Sequence, residues 1–304
     1  MSKIIFSVIC ASKNEENHIE DLINSFNEAN NDNAELIIID DSNDNTKSIV
    51  LKKSNQNIKL INGDNNGCCN ARNKGVKNAA GDIITYMTAD SVFPANFFLD
   101  LKNYFDQGYD IVMTSSKVMN AENIWSRFID AWSNNKLNIN KNFSPLTSQG
   151  YSVKKTSALS AGLIDPGSAK PNICRDYTLV RKMEKLKYSK IFAKDIICYH
   201  KAPDTFSEFV LNQYTRGIIS GGTSVRYDQR GFIINYMRSF TKLFLLVVNI
   251  TIPLSPFQRA IRMAKFSKFS DLVPFFLIIY LKNMCFIFGE IITICRFNVG
   301  YYKK

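Results

Sequence analysis

The sequence predicts an α/β protein built on a doubly wound, mostly parallel sheet, with apolar and basic helices at its C-terminal end. Short, nearly continuous apolar runs recur at 4–9, 36–39, 58–61, 83–87 and 111–113, the pattern of strands covered on both faces. Helically spaced segments lie between them, and strands alternating with helices over roughly 1–115 imply parallel βα units. The third observation is the uneven spread of apolar residues, which are densest in the last quarter of the chain.

Taken in order, Ser12-x-x-Glu15 reads as a capping box before the helical spacing Ile19, Leu22, Ile23, Phe26. The run Leu36–Ile39 ends in Asp40 and Asp41. Two acids at a strand exit serve either as the N-cap of the next helix or as acceptors for a base or ribose. Residues 68–75 form a polar turn and a short helix opened by Arg72, where free N–H groups and the helix dipole favour an anion. Gly81 breaks the helix, a strand follows, and Asp90 stands at its exit, where open α/β sheets bind ligands. Together these residues suggest a site for a phosphorylated ligand with a divalent cation, against the plainer reading of one more αβ unit. Phe97, Phe98, Leu101, Tyr104 and Phe105 give a further helix.

The 304 residues allow one large or two small domains, and a formal charge of +11 implies an anionic partner. Seven cysteines without metal or C-x-x-C spacing read as reduced thiols of a cytosolic protein, and the N-terminus runs straight into a strand without a signal peptide. A nucleic-acid-binding module is disfavoured, because the cations cluster beside apolar helices rather than among exposed aromatics.

The succession Ser7-Val8-Ile9…Asn14-Glu15-Glu16, Ile38-Ile39-Asp40-Asp41-Ser42, Asn70-Ala71-Arg72-Asn73-x-Gly75, Gly81-Asp82-Ile83-Ile84 and Thr88-Ala89-Asp90 resembles the family-2 glycosyltransferases, GT-A fold enzymes that use nucleotide-activated sugars. The resemblance implies that Ala11, Ser12 and Glu15 lie near the nucleoside and that Asp40 or Asp41 binds the base or ribose. It places Arg72 by the base and phosphates, and Ala89-Asp90 at the end of a D-x-D motif that meets a divalent cation, Mn²⁺ or Mg²⁺. Thr88 replaces the first acid of that motif, which leaves Asp90 as its one carboxylate; a hard cation completes its shell with water and phosphate oxygens.

In the second half, Trp125, Phe128, Ile129 and Trp132 form an amphipathic stripe, read as core packing with a sugar platform as the alternative. The segments 148–155 and 161–165 resemble the family's acceptor side. Asp176, after Arg175 where the family has Glu, matches the general base of inverting members; a carboxylate within reach of the acceptor hydroxyl can take its proton. Without the resemblance, Asp176 is a helix N-cap. His200 ends a strand and, by the resemblance, approaches the metal or pyrophosphate; His18 is given no role. Thr205-x-x-Glu208 caps a helix carrying Gln213 and Arg216, which resemble the Q-x-x-R-W motif with Gly217 in the aromatic place. That glycine argues against processive synthesis, while Arg216 is suited to a leaving diphosphate.

Two apolar runs, 240–254 and 273–295, flank Arg259, Arg262, Lys265 and Lys268, read as a basic amphipathic helix for an anionic headgroup layer. The runs are expected to lie on the cytoplasmic face of a membrane, with a two-span hairpin or packing in a soluble core as alternatives. The resulting division is a GT-A catalytic domain over 1–225 (nucleotide-binding half 1–115, acceptor half 116–225) and a membrane-associated region over 226–304. The expected activity is inverting transfer from a nucleotide sugar to a lipid-linked or polysaccharide-precursor acceptor. The competitors are a processive synthase, a sugar nucleotidyltransferase and a non-catalytic membrane scaffold. The nucleotidyltransferase would want a glycine-rich phosphate loop that Ala11-Ser12-Lys13-Asn14 lacks.

Overall fold

The computed structural model describes residues 4–30, 32–139, 150–165, 177–226, 232–251 and 253–298. They fall into two compact units, one drawn from Met1–Lys117, Ser144–Pro166 and Cys174–Lys201, the other from Val118–Phe143, Gly167–Ile173 and Ala202–Lys304.

The first unit begins β1 (Phe6–Ser12), α1 (Ile19–Ala29), β2 (Ala34–Asp40), α2 (Thr46–Lys53), β3 (Ile58–Asn62), α3 (Cys68–Asn78) and β4 (Ile83–Met87). It continues with β5 (Ser91–Val92), α4 (Phe97–Asp106) and β6 (Ile111–Val118). After α5 (Ile124–Ile139), which belongs to the second unit, the first resumes with β7 (Tyr151–Lys154), α6 (Lys155–Ser160), α7 (Tyr177–Lys185) and β8 (Lys190–His200). The eight strands form one sheet in the order β3-β2-β1-β4-β7-β6-β8-β5. β1 is parallel to β2 and β4, and β2 to β3, whereas β7 runs antiparallel to β4 and β6. The chain passes from β1 to β2 on one side and later to β4 on the other, so β1 and β4 meet at a topological switch point, where such sheets open a crevice.

The strand runs are apolar without alternation because both faces are covered. Phe6, Val8, Cys10, Leu36 and Ile38 face one core with Leu22, Ile23 and Phe26 of α1 and Phe97 and Phe98 of α4. The alternate residues Ile9, Ile37, Ile39, Ile84 and Tyr86 face a second core with Val76 of α3 and Leu179, Val180 and Met183 of α7. Each such side chain contributes roughly 1.5–3 kcal/mol by leaving water. Among the buried polar residues of this sheet, Glu35, 3% exposed, accepts from Ser7 Oγ (2.6 Å), Ala80 N–H (2.6 Å) and Lys59 Nζ (2.6 Å).

The second unit contains α5, α8 (Phe206–Arg226), α9 (Phe232–Thr251), α10 (Leu254–Ala264), a 3₁₀ turn (Phe269–Asp271) and α11 (Leu272–Asn298). Its core gathers Phe128 and Ile129 of α5, Phe209 of α8, Ala260 and Met263 of α10 and Phe275, Ile278 and Ile279 of α11. The α5 stripe is therefore core packing for Phe128 and Ile129, and Trp125 meets Phe206 edge-on and Phe209 at a tilt. Arg127 donates to both oxygens of Asp271 at 3.0 and 2.9 Å, tying α5 to the 3₁₀ turn. The segment Phe269–Arg296 is long and apolar enough to cross a membrane by length and composition. Its Glu290, 3% exposed, accepts from Lys242 Nζ at 2.7 Å through both oxygens, and from Ser220 and Ser239 hydroxyls.

Three expectations change. Ser12 and Glu15 do not form a capping box: α1 starts only at Ile19 behind His18, because Ser12 is still in β1 and its hydroxyl is taken by Asp40. The basic series is not one helix, since α10 ends at Ala264 and only Arg259 and Arg262 lie on it. A three-residue spacing drifts by about 60° per step around an α-helix, so a run of four would spread over half its circumference. Finally, Cys69 is disulfide-bonded, while Cys10, Cys198, Cys285 and Cys295 are free thiols.

Candidate active site

The C-terminal ends of β1, β2 and β4 carry the residues singled out from the sequence, and local hydrogen bonding explains how. Ser12 pairs with Asp40 in the β1–β2 register, and Oδ1 of Asp40 accepts from both Ser12 Oγ and Ser42 Oγ at 2.6 Å. The loops after the two strands are sewn together. Asn14, in the left-handed region at φ 58, donates its N–H to Ser42 Oγ and accepts from Asn43 N–H, and Glu15 N–H donates to Thr46 Oγ1. Asn tolerates that backbone conformation better than most residues. The start of α2 is served by Asp44, which accepts from Thr46 N–H, so neither Asp40 nor Asp41 acts as its N-cap. Asp41 instead lies across Gly63, where an added Cβ would be 2.0 Å from Asp41 Oδ1, and it accepts from Asn65 N–H.

Helix α3 brings Arg72 to the same edge. A Cβ at Gly75 would lie 2.5 Å from Ile9 and 2.7 Å from Ile39, so the glycine lets α3 rest directly on β1 and β2. Asn73 fixes the other side of the helix, donating to Ile164 C=O and accepting from Ile164 N–H. The small and amide residues of the Asn70–Gly75 motif thus seat the helix, and Arg72 is left 5% exposed.

After β4, Thr88 and Ser91 close a turn through their hydroxyls at 2.6 Å, and Ala89 is buried beneath it. Asp90 is half-buried at the tip, its carbonyl held by Lys201 N–H at 3.0 Å. Ser91, next to Asp90, pairs with His200 in the β5–β8 register, which brings the strand-end histidine alongside the turn. Asp90 has no ion-pair partner among the described residues; its one side-chain contact is a 3.5 Å approach of Ser91 Oγ.

The electrostatics of neighbouring groups show that these residues converge. Cys10 lies buried in β1; burial raises its thiol pKa, Arg72 draws it down, and Glu15, Asp90 and Asp40 push it up. His18 bonds Glu15 at 3.0 Å, and its pKa is raised by that bond first and by the charges of Glu15 and Asp90 as well, against burial and Lys201. One arginine and three carboxylates therefore act on a single strand end. His18, given no role from sequence, orients Glu15; so does the backbone of Lys201 for Asp90. Neither carries a motif, and only the fold brings them there.

Of the remaining expected residues, Ala11 lies on β1 beside Ile39. Gln213 (2% exposed) and Arg216 stand on α8 of the second unit, and Asp176 and Arg175 lie outside the described residues. Gly217 has a definite reason to be glycine: a Cβ there would lie 2.0 Å from the Phe286 carbonyl oxygen of α11, so no aromatic fits.

Compared with protein families, residues 7–161, just over half of the chain, match the model of "Glycosyl transferase family 2". The chain belongs to glycosyl transferase family 2. It is a glycosyltransferase, and its strand-end cluster occupies the part of the chain that the family model spans. No curated protein sequence matches the chain significantly. Among solved structures it is similar to the mannosyltransferase PcManGT from Pyrobaculum calidifontis in complex with GDP-Man and Mn²⁺, with TM-score 0.60, 16% identity, and coverage of 93% of this chain and 88% of that one. S. aureus TarS 1-349 in complex with UDP-GlcNAc gives TM-score 0.53 and 14% identity over 98% and 92%. Glucosyl-3-phosphoglycerate synthase from Mycobacterium tuberculosis, in complex with Mn²⁺, UDP and phosphoglyceric acid, gives 0.50 and 18% over 73% and 78%. At these identities the likeness establishes the GT-A fold.

Proposed function

We propose that this family-2 glycosyltransferase moves a sugar, with inversion, from a nucleotide-diphosphate sugar to a hydroxyl of a membrane-borne, lipid-linked or polysaccharide-precursor acceptor. The reading rests on the convergence of Arg72, Glu15, Asp40 and Asp90 at the end of β1. The second oxygens of Asp40 and Asp41 are left to accept from the base or ribose, with Ala11 and Ser12 forming the floor beside them. Arg72 sits where a diphosphate needs positive charge, and Arg216 with Gln213 is assigned to the leaving group.

The residues present fit a divalent cation. Asp90 is a half-buried carboxylate with no cation paired to it among the described residues, and His200 sits one register position away. No group of three or more His, Cys, Asp or Glu is placed to hold a metal among the described residues, so a cation here would take most of its ligands from phosphate and water. Mn²⁺ or Mg²⁺ so held would offset charge on the departing diphosphate. Asp176 is the proposed base for the acceptor hydroxyl. Gly217, closed in by α11, supports single transfer over processive synthesis.

The membrane side of the reading is supported by exposed apolar side chains at helical spacing on α9, namely Ile233, Met237, Phe240, Phe244 and Val247. Leu254, Phe257 and Ile261 on α10 are exposed as well, with Arg262, Lys265 and Lys268 nearby in the chain. This combination suits helices lying in an anionic cytoplasmic leaflet. The proposed catalytic region 1–225 thus takes in all of α8 but its last residue, where the membrane-associated region 226–304 begins. The test is transfer to a lipid-extract acceptor. Asp176→Asn should bind the donor as wild type does and transfer nothing; transfer at the wild-type rate by that variant would remove Asp176 from the mechanism.

A further inference from the structure

Four helices of the second unit each send a cation to one place. Lys136 of α5, Arg259 of α10 and Lys282 of α11 stand over the Trp132 ring at 5.6, 5.2 and 4.2 Å from its centre. Arg216 of α8 joins them, because its charge acts on both Lys136 and Lys282. No carboxylate among the described residues pairs with any of the four. Like charges gathered this closely without an opposite partner repel one another. Lys282 registers the strain, with its pKa pushed down to about 7 by burial first and then by Lys136, Arg216 and Arg259. Burial also lowers the pKa of Arg216 and of Arg259, yet Arg216 and Lys136 keep contact with solvent. Three of these cations thus gather around one indole ring, and Arg216 is near enough for its charge to act on two of them. Gln213, one turn before Arg216, is buried with an amide oxygen that accepts no hydrogen bond among the described residues. Its amide orientation is interchangeable, so it can turn a donor to an incoming anion.

We propose that Lys136, Arg216, Arg259 and Lys282, arranged around Trp132, form a binding site for a phosphoryl group carrying at least two negative charges, a phosphomonoester or a diphosphate. A multiply charged oxyanion offers acceptor oxygens to several ammonium and guanidinium donors at once, whereas a single carboxylate would leave most of the four unmatched. The aromatic face alone holds the cations only weakly. Arg216 and Gln213 are the residues assigned above to the leaving group, so the site extends that reading with Lys136, Arg259 and Lys282, and its test reads binding, which fails or holds independently of sugar transfer.

The probe is inorganic pyrophosphate, titrated calorimetrically into the full chain at low salt with EDTA present, so that no cation-bridged diphosphate at Asp90 contributes. Wild type should bind and rise in Tm. The double variant Lys136→Gln/Lys282→Gln should bind at least tenfold more weakly, and the remote control Lys52→Gln, exposed on α2, should not. Without any anion, Lys282→Gln should itself raise Tm, since it removes a half-buried charge crowded by other cations; this outcome also guards against a variant that merely unfolds. A second arm compares co-sedimentation with phosphatidylcholine vesicles holding one-tenth phosphatidic acid or, at equal charge, phosphatidylglycerol. Loss of a phosphatidic-acid preference in the double variant assigns the phosphoryl group to a lipid, and no such preference alongside lost pyrophosphate binding assigns it to a soluble ligand. Absence of pyrophosphate binding by wild type, or equal weakening by Lys52→Gln, overturns the proposal.

Discussion

Replacing Gly217 with alanine tests the close crossing of α8 and α11. The new Cβ would lie 2.0 Å from the Phe286 carbonyl oxygen, 2.9 Å from its carbon and 3.1 Å from Glu290 N. All three are backbone atoms of α11, so no side chain can swing away. Carbon contacts relax near roughly 3.5 Å, so α8 and α11 would have to part by about 1.5 Å at this point. Overpacking of this kind costs about 1–3 kcal/mol and sometimes more, while alanine regains about 1 kcal/mol over glycine as a helix former. Because the clash is with fixed backbone atoms, the cost sits at the upper end of that range, and the net loss of about 2 kcal/mol corresponds to a Tm lower by about 4–8 °C. Gly289 meets the same crossing from the other side, its Cβ position 2.2 Å from Tyr214 O. Gly289→Ala should therefore cost a similar amount, and the double variant less than the sum, because the helices need separate only once. Thermal unfolding of the two single variants and the double variant supplies the comparison. A Tm for Gly217→Ala equal to or above wild type would mean that only helix propensity was felt, and the explanation for the missing aromatic would fall.

Glu35→Gln should destabilise the first unit by about 1–3 kcal/mol, since its partners Ser7 and Ala80 N–H are left poorly matched. Burial pushes the Glu35 pKa up, but Lys59, Ser7 and Ala80 outweigh it and the net displacement is downward from 4.5. Its stabilisation is therefore complete above that value and fades as pH falls through the lower folded-state pKa; urea titrations from pH 6 to 3 should show an acid loss that is smaller in the variant. Lys242→Met should cost about 3–5 kcal/mol by leaving Glu290 buried without its cation, and adding Glu290→Gln should restore much of it. A Lys242→Met protein as stable as wild type would show that the ion pair is solvated.

The strands of the first unit were readable because burial on both faces removes alternation, and the two cores claim alternate residues of the same runs, as Val8 and Ile9 do. The motif residues Asp40, Arg72 and Asp90 were readable for the same reason: each follows or flanks a run whose end is unmistakable. Ser12-x-x-Glu15 misled because a capping box is a spacing, and the same spacing occurs where a strand-end serine bonds an acid 28 residues away. Glu35 carried no signal, its partners being Ser7, Lys59 and Ala80 on other strands and loops. The cations around Trp132 come from four helices; Arg216 and Arg259 stood out in the sequence for other reasons, and nothing in it gathers them with Lys136 and Lys282. Gly217 stood out as a departure from a motif, but its cause lies in the backbone of Phe286.

The account turns on Asp90 holding a cation against a nucleotide diphosphate at the ends of β1 and β4. Titration of UDP, GDP, CDP and ADP into the protein with and without Mn²⁺ measures this directly, repeated with Asp90→Asn. At least one diphosphate should bind more tightly with the metal present, and the substitution should erase that difference while leaving the fold intact. Metal-dependent binding of equal strength in Asp90→Asn, or no binding of any diphosphate by wild type, would contradict it.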